Sequence, residues 1–101
     1  MRLMPPWQRE GIVARLVLAE QFVDDLDEVW SPRVYDRVCR VLSMIEQFPE
    51  SGSRSLPRSI EWEFGHTVRK CVAGPFDILY DYDGAADTVY VLGLVAQRSA
   101  E

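Results

Sequence analysis

Two turn signals cut the stretch from Val68 to Arg98 into three apolar runs, and that division dictates most of the architecture. Gly74-Pro75 separates Val68–Ala73 from Phe76–Tyr82. Asp83-Gly84-Ala85-Ala86 separates the latter from Val89–Arg98. Runs rich in Val, Ile, Leu and Tyr between such breaks are strands, and breaks this short leave only an antiparallel meander.

A two-residue hairpin centred on Gly74-Pro75 fixes the first register, placing Val72 opposite Asp77, Lys70 opposite Leu79 and Arg69 opposite Tyr80. Side chains alternate, so Arg69, Cys71, Phe76, Ile78 and Tyr80 share one face, the one that needs helices to cover it. Phe76 and Tyr80 are therefore expected to join sheet to helices. The other face carries Lys70, Val72, Asp77, Leu79 and Asp81. Simple alternation in the last strand puts Val89, Val91 and Val95 on one side, and Tyr90, Leu92, Leu94, Ala96 and Arg98 on the other. Apolar residues on both sides suit a central strand.

Upstream, Ile12–Leu18 is too short for a stable helix and reads as a strand. From Ala19 the period changes. Ala19, Phe22, Val23, Leu26, Val29 and Trp30 recur at helical spacing, opposite Glu20, Asp24, Asp25, Asp27 and Glu28. Ser31-Pro32 ends that helix and starts a second, with Ser as N-cap and Pro at the first helical position. Val34, Tyr35, Val38, Leu42, Ile45 and Phe48 form its apolar stripe, and Pro49 ends it. A connection this short makes the pair an antiparallel hairpin. Residues 49–65 have little periodicity and read either as a surface loop or as a short extra turn packed by Ile60, Trp62 and Phe64.

The order strand, helix, helix, three strands predicts a two-layer α+β domain with both helices on one face of a mainly antiparallel four-stranded sheet. The first strand pairs beside the last. The uncovered face, concave through sheet twist, is where a ligand or partner would bind. With 101 residues the chain fits one core. No run approaches the roughly 18 apolar residues of a membrane span, and residues 1–10 lack a secretory signal, which points to a cytoplasmic protein. Cys39 and Cys71, far apart and without metal-type spacing, read as free buried thiols. His66, the only histidine, has no companion ligand, so neither metal nor cofactor is implied. The net charge of −5 argues against direct nucleic-acid binding, although the cations cluster at Arg33, Arg37 and Arg40 and again from Arg54 to Lys70.

The layout, with Val68–Tyr80 and Val89–Arg98 as its texture, resembles the RelE/ParE superfamily of bacterial toxins. The resemblance spans roughly Ile12 to Arg98, leaving residues 1–11 as a flexible N-terminal arm and 99–101 as a C-terminal tail around a single toxin domain, 12–98. It rests on Arg69 in the second strand, Phe76-Asp77-Ile78-Leu79-Tyr80 in the third, Ala96-Gln97-Arg98 ending the fourth, and Pro49 with Leu56 in the loop after the second helix. What it implies is the toxin of a type II toxin-antitoxin system, neutralised by a small antitoxin. RelE-like members cut mRNA on the ribosome, whereas ParE-like members poison DNA gyrase.

Measured against the family's ribonucleases, this chain is short of cations. Asp77 stands where many of them place an Arg, Val72 where RelE has another, Ala96 where a His often acts, and Ser99-Ala100-Glu101 ends the chain without a C-terminal Tyr. A carboxylate at Asp77 repels the charge that such an Arg would stabilise. Arg98 is the one remaining candidate catalytic residue, and Lys70, Val72, Asp77, Leu79 and Asp81 form the candidate binding face. Arg69 is expected to pair with an acidic helix residue, and Lys70 to offset Asp77 and Asp81. The favoured reading is a ParE-like toxin that binds a protein such as gyrase. The alternatives are a ribosome-dependent endoribonuclease and an inactive member that only binds its partner.

Overall fold

The Gly74-Pro75 turn sets the sheet. The computed structural model describes residues 13–56, 58–65 and 67–97, and in it Gly74 takes φ +64°. Pro75 cannot follow with a positive φ, so the hairpin is closed by a type II′ turn. Strands β2 (Arg69–Ala73) and β3 (Phe76–Asp83) pair with Val72 opposite Asp77, Lys70 opposite Leu79 and Arg69 opposite Tyr80, the expected register. Asp83 closes the next turn, its Oδ1 accepting from the amides of Ala85 and Ala86, and β4 (Thr88–Ala96) returns antiparallel to β3.

The first strand, β1 (Arg15–Leu18), lies parallel to β4 at the sheet edge, giving the order β1-β4-β3-β2. Helix α1 (Glu20–Asp27) follows and packs against β4. Helix α2 (Pro32–Gln47) returns over β2. Ser31 caps α2, its Oγ accepting from the Val34 amide, with Pro32 at the first position as its fixed φ favours. Phe22, Val38 and Ile45 bury fully against Cys71, Ile78, Tyr80, Val89, Val91 and Leu94. Phe76 packs against the edge of this core. No helix among the described residues is long and apolar enough to cross a membrane.

Several expectations need correction. Helix α1 stops at Asp27, so Trp30 lies past its end and is 91% exposed. Tyr35 and Phe48 also leave the apolar stripe and are exposed, and Cys39 is exposed while Cys71 is buried. Simple alternation fails in β4. Leu79 pairs with Gly93 but Tyr80 with Val91, so Leu92 is an extra residue, a β-bulge. Beyond it the phase inverts: Leu94 joins Val91 on the core face, and Val95 joins Tyr90 on the other.

The segment after α2 contains a third helix, α3 (Arg58–Phe64). Ile60 and Phe64 turn partly inward, whereas Trp62 points out and is 91% exposed. The second sheet face is therefore not bare: Leu79 is buried there, with Leu56 and Ile60 lining the space above it.

Candidate functional site

Residues from β2, β3, β4 and α3 enclose the main concavity, a pocket of about 740 Å³ on the face opposite α1 and α2. Its sheet side carries Lys70, Val72, Asp77, Leu79 and Val95. Leu56, Ser59 and Ile60 form the far wall, and Ala96 and Gln97 close one end. The β2–β3 register and the bulge put these groups together, since residues two apart in a strand share a face and the bulge brings Val95 onto this one.

Four of the five expected binding-face residues, Lys70, Val72, Asp77 and Leu79, line this pocket. Asp81 sits farther along β3, where its Oδ2 accepts from Thr67 Oγ1 at 3.1 Å. Asp77 is held in place: Gln97 Nε2 donates to its Oδ1 at 3.0 Å, and Gln97 N donates to Pro75 O at 2.9 Å. Gln97 was not singled out by sequence; its nearness to the hairpin turn follows from the pairing of Phe76 with Ala96. Lys70 presents an ammonium from the edge strand while its backbone exchanges hydrogen bonds with Ser53, at 2.8 and 2.9 Å. The ion pair present among the described residues is Arg40–Asp36 on the surface of α2, so the expected offset of Asp77 and Asp81 by Lys70 is not formed. Arg98 and His66 lie outside the described residues.

Arg69 and Tyr80 do something sequence did not indicate. Arg69 Nη1 donates to the carbonyls of Glu50 and Gly52, at 3.0 and 3.1 Å, rather than to an acidic helix residue. Tyr80 Oη donates to Pro49 O and accepts from Gly52 N, both at 2.8 Å. Together they pin the loop that leads to α3. Burial pushes the Tyr80 phenol up to about 12 and also raises the neighbouring Cys71 thiol. Gly52 is required by this contact, because a Cβ there would overlap the Tyr80 hydroxyl and lie 2.9 Å from ring carbons.

Chemically the pocket offers one ammonium, one fixed carboxylate, a neutral amide, the Ser59 hydroxyl and otherwise apolar walls. No protein-family model and no curated protein matches the sequence. Solved structures do match. A chain of the RelBE2 toxin-antitoxin complex from Mycobacterium tuberculosis superposes at a TM-score of 0.68 with 17% identity, covering 85% of this chain and 100% of that one. The archaeal RelE-RelB complex from Pyrococcus horikoshii gives 0.65 at 13% identity, over 87% and 99%. The YoeB/ParE toxin from Agrobacterium tumefaciens gives 0.63 at 12%, over 83% and 99%. The chain has the RelE/ParE toxin fold. The pocket lies on the sheet face that α1 and α2 leave free. At these identities the likeness establishes the fold, and the side chains in the pocket are this chain's own.

Proposed function

We propose that this protein is the toxin of a type II toxin-antitoxin system, carried by residues 12–98, neutralised by a small antitoxin and acting ParE-like, by binding an essential protein such as DNA gyrase. The fold supports the first part, since its matches include chains of toxin-antitoxin complexes. The observation that carries the second is Asp77, a carboxylate that lines the sheet-face pocket and is fixed there by Gln97.

Phosphodiester cleavage needs an acid, a base and cations aimed at the charge that develops on the phosphate. Within the pocket Lys70 supplies a cation, but Asp77 opposes it and Val72 adds none. Losing one such electrostatic donor costs on the order of 100-fold to 1000-fold, and a like charge costs more. Apolar walls formed by Leu56, Ile60, Val72 and Val95 suit a protein side chain better than a phosphate.

The test pairs two assays on one preparation. Primer extension on a message translated in a purified system should show no cuts positioned by codon, and gyrase supercoiling should be inhibited. Codon-positioned cuts that vanish in Arg98→Ala would move the protein to the ribonuclease branch. Co-expression with the protein encoded by the adjacent reading frame should yield a stable complex, and separate elution of the two at micromolar concentration would count against an antitoxin.

A further inference from the structure

The helical side of the molecule, opposite the pocket, carries a second surface. Ala19 N donates to Val91 O, and Asp25 Oδ2 accepts from Leu94 N, so α1 runs beside β4 in the strand's own direction. At the far end of α2 the Glu46 carbonyl accepts from Ala14 N, at the start of β1. The second helix therefore runs back antiparallel, and its first half lies level with α1.

Charge divides between the two helices. Glu20, Asp24 and Asp27 along α1 and Glu28 at its C-cap are all exposed and recur at helical spacing. Arg33, Arg37 and Arg40, also exposed, recur likewise along the first half of α2. Arg37 Cγ lies 3.9 Å from where a Cβ on Gly74 would be, which puts this basic flank on the side of α2 toward the β2–β3 turn, away from α1. At the α1–α2 elbow is a shallow cleft whose lining includes Val29, Trp30, Tyr35, Cys39 and Asp36, with Trp30 91% exposed, Tyr35 46%, and the Asp36 carboxylate paired with Arg40. Across this face the order is acidic stripe, aromatic cleft, basic flank.

We infer that this face is a self-association surface, and that its occupant is a second copy of the chain. The pattern is self-complementary for one symmetry: a two-fold axis parallel to the helices lays each acidic stripe on the partner's basic flank and brings the aromatic clefts toward the axis. A partner segment of a single charge sign would satisfy one stripe and be repelled by the other. The Arg40–Asp36 pair, exposed and within one helix, is too weak to remove Arg40 from such an exchange. The face is two helices wide and, at 16 residues, α2 is about 24 Å long. That footprint is smaller than the roughly 800 Å² per partner of standard stable complexes, so the dimer depends on concentration. This inference is independent of the toxin reading.

The experiment is sedimentation velocity on the purified full chain between ~1 and ~200 µM, at low and high salt, with reversed-charge variants. A monomer–dimer equilibrium is expected, weakened by salt, and Trp30→Ser should raise the dissociation constant at least ~10-fold. Asp24→Arg/Asp27→Arg and Arg33→Glu/Arg37→Glu should each be monomeric. Mixed in equal amounts, they should form a heterodimer, because each then supplies the sign that the other lacks. Circular dichroism of each variant alone establishes that both are folded before mixing. Wild-type protein that stays monomeric across the range overturns the proposal, as does a mixture of two folded variants that fails to associate. A dimer that survives both salt and Trp30→Ser overturns it too, since self-association would then use another surface.

Discussion

Replacing Tyr80 with Phe removes one oxygen and tests the clamp on the loop before α3. The hydroxyl donates to Pro49 O and accepts from Gly52 N, both at 2.8 Å, from a fully buried side chain. The bond to Pro49 O contributes about 1 kcal/mol, and leaving the buried Gly52 amide without a partner costs about 1–3 kcal/mol. The ring stays, so no large cavity forms. A loss of about 2–4 kcal/mol follows, less than the roughly 3–5 kcal/mol expected for Tyr80→Ala, which also empties the core. With an m-value of about 1.5 kcal/mol/M for a chain of this size, the urea midpoint should fall by roughly 1.3–2.7 M. Gly52→Ala, whose Cβ would overlap the hydroxyl, should cost less when combined with Tyr80→Phe than in wild type. A Tyr80→Phe midpoint within ~0.3 M of wild type, or additive effects of the two substitutions, would refute the clamp.

Leu79→Ala should cost about 2–5 kcal/mol, as for a buried leucine under α3; a urea midpoint shift worth under ~0.5 kcal/mol would mean that α3 does not cover this face. Asp25→Ala should cost about 1–2 kcal/mol and speed hydrogen exchange at the Leu94 amide, while Asp25→Asn, which keeps an acceptor, should cost less. Stability should also decline at high pH. Tyr80 holds its proton to about 12 when folded and to about 10 when unfolded. Its contribution is therefore complete below pH ~10 and lost as pH rises toward ~12, with a slope of at most about 1.4 kcal/mol per pH unit. Urea midpoints at a series of alkaline pH values should show this decline in wild type and a shallower one in Tyr80→Phe; equal slopes would contradict it.

Sequence was most informative where one local feature fixed a distant relation. Gly74-Pro75 allowed one short turn, and a two-residue turn leaves a single register, so Val72–Asp77, Lys70–Leu79 and Arg69–Tyr80 could be paired from the residues alone. The candidate pocket was legible to the same extent: Lys70, Val72, Asp77 and Leu79 share a face because of that register. Alternation in β4 misled because a bulge leaves no trace in apolar patterning, although Gly93 inside a strand is a recognised sign of one. Helix α3 was legible only as one of two options, a short extra turn or a surface loop, because seven residues give too little periodicity, and its Trp62 points outward where packing was expected. Arg69 and Asp25 were misjudged for one shared reason. Each charged group is satisfied by backbone, a carbonyl pair for Arg69 and an amide for Asp25, and such partners have no side-chain signature in a sequence.

Asp25 has a consequence beyond its own hydrogen bond. Where β1 ends at Leu18, β4 continues to Ala96 and would present unpaired backbone, the template on which sheets of different molecules add to one another and aggregate. The carboxylate occupies the Leu94 amide in that gap, and at the opposite margin Ser53 pairs with Lys70 on the outer side of β2. Both long margins of the sheet are thus partly blocked by groups from loops and helices rather than by further strands. A chain carrying Asp25→Ala and Ser53→Pro, the latter removing the backbone N–H that Ser53 gives to Lys70 O, would keep its core residues yet expose two adhesive borders, and its failure would appear first as fibrils or precipitate at high concentration rather than as a lowered melting point.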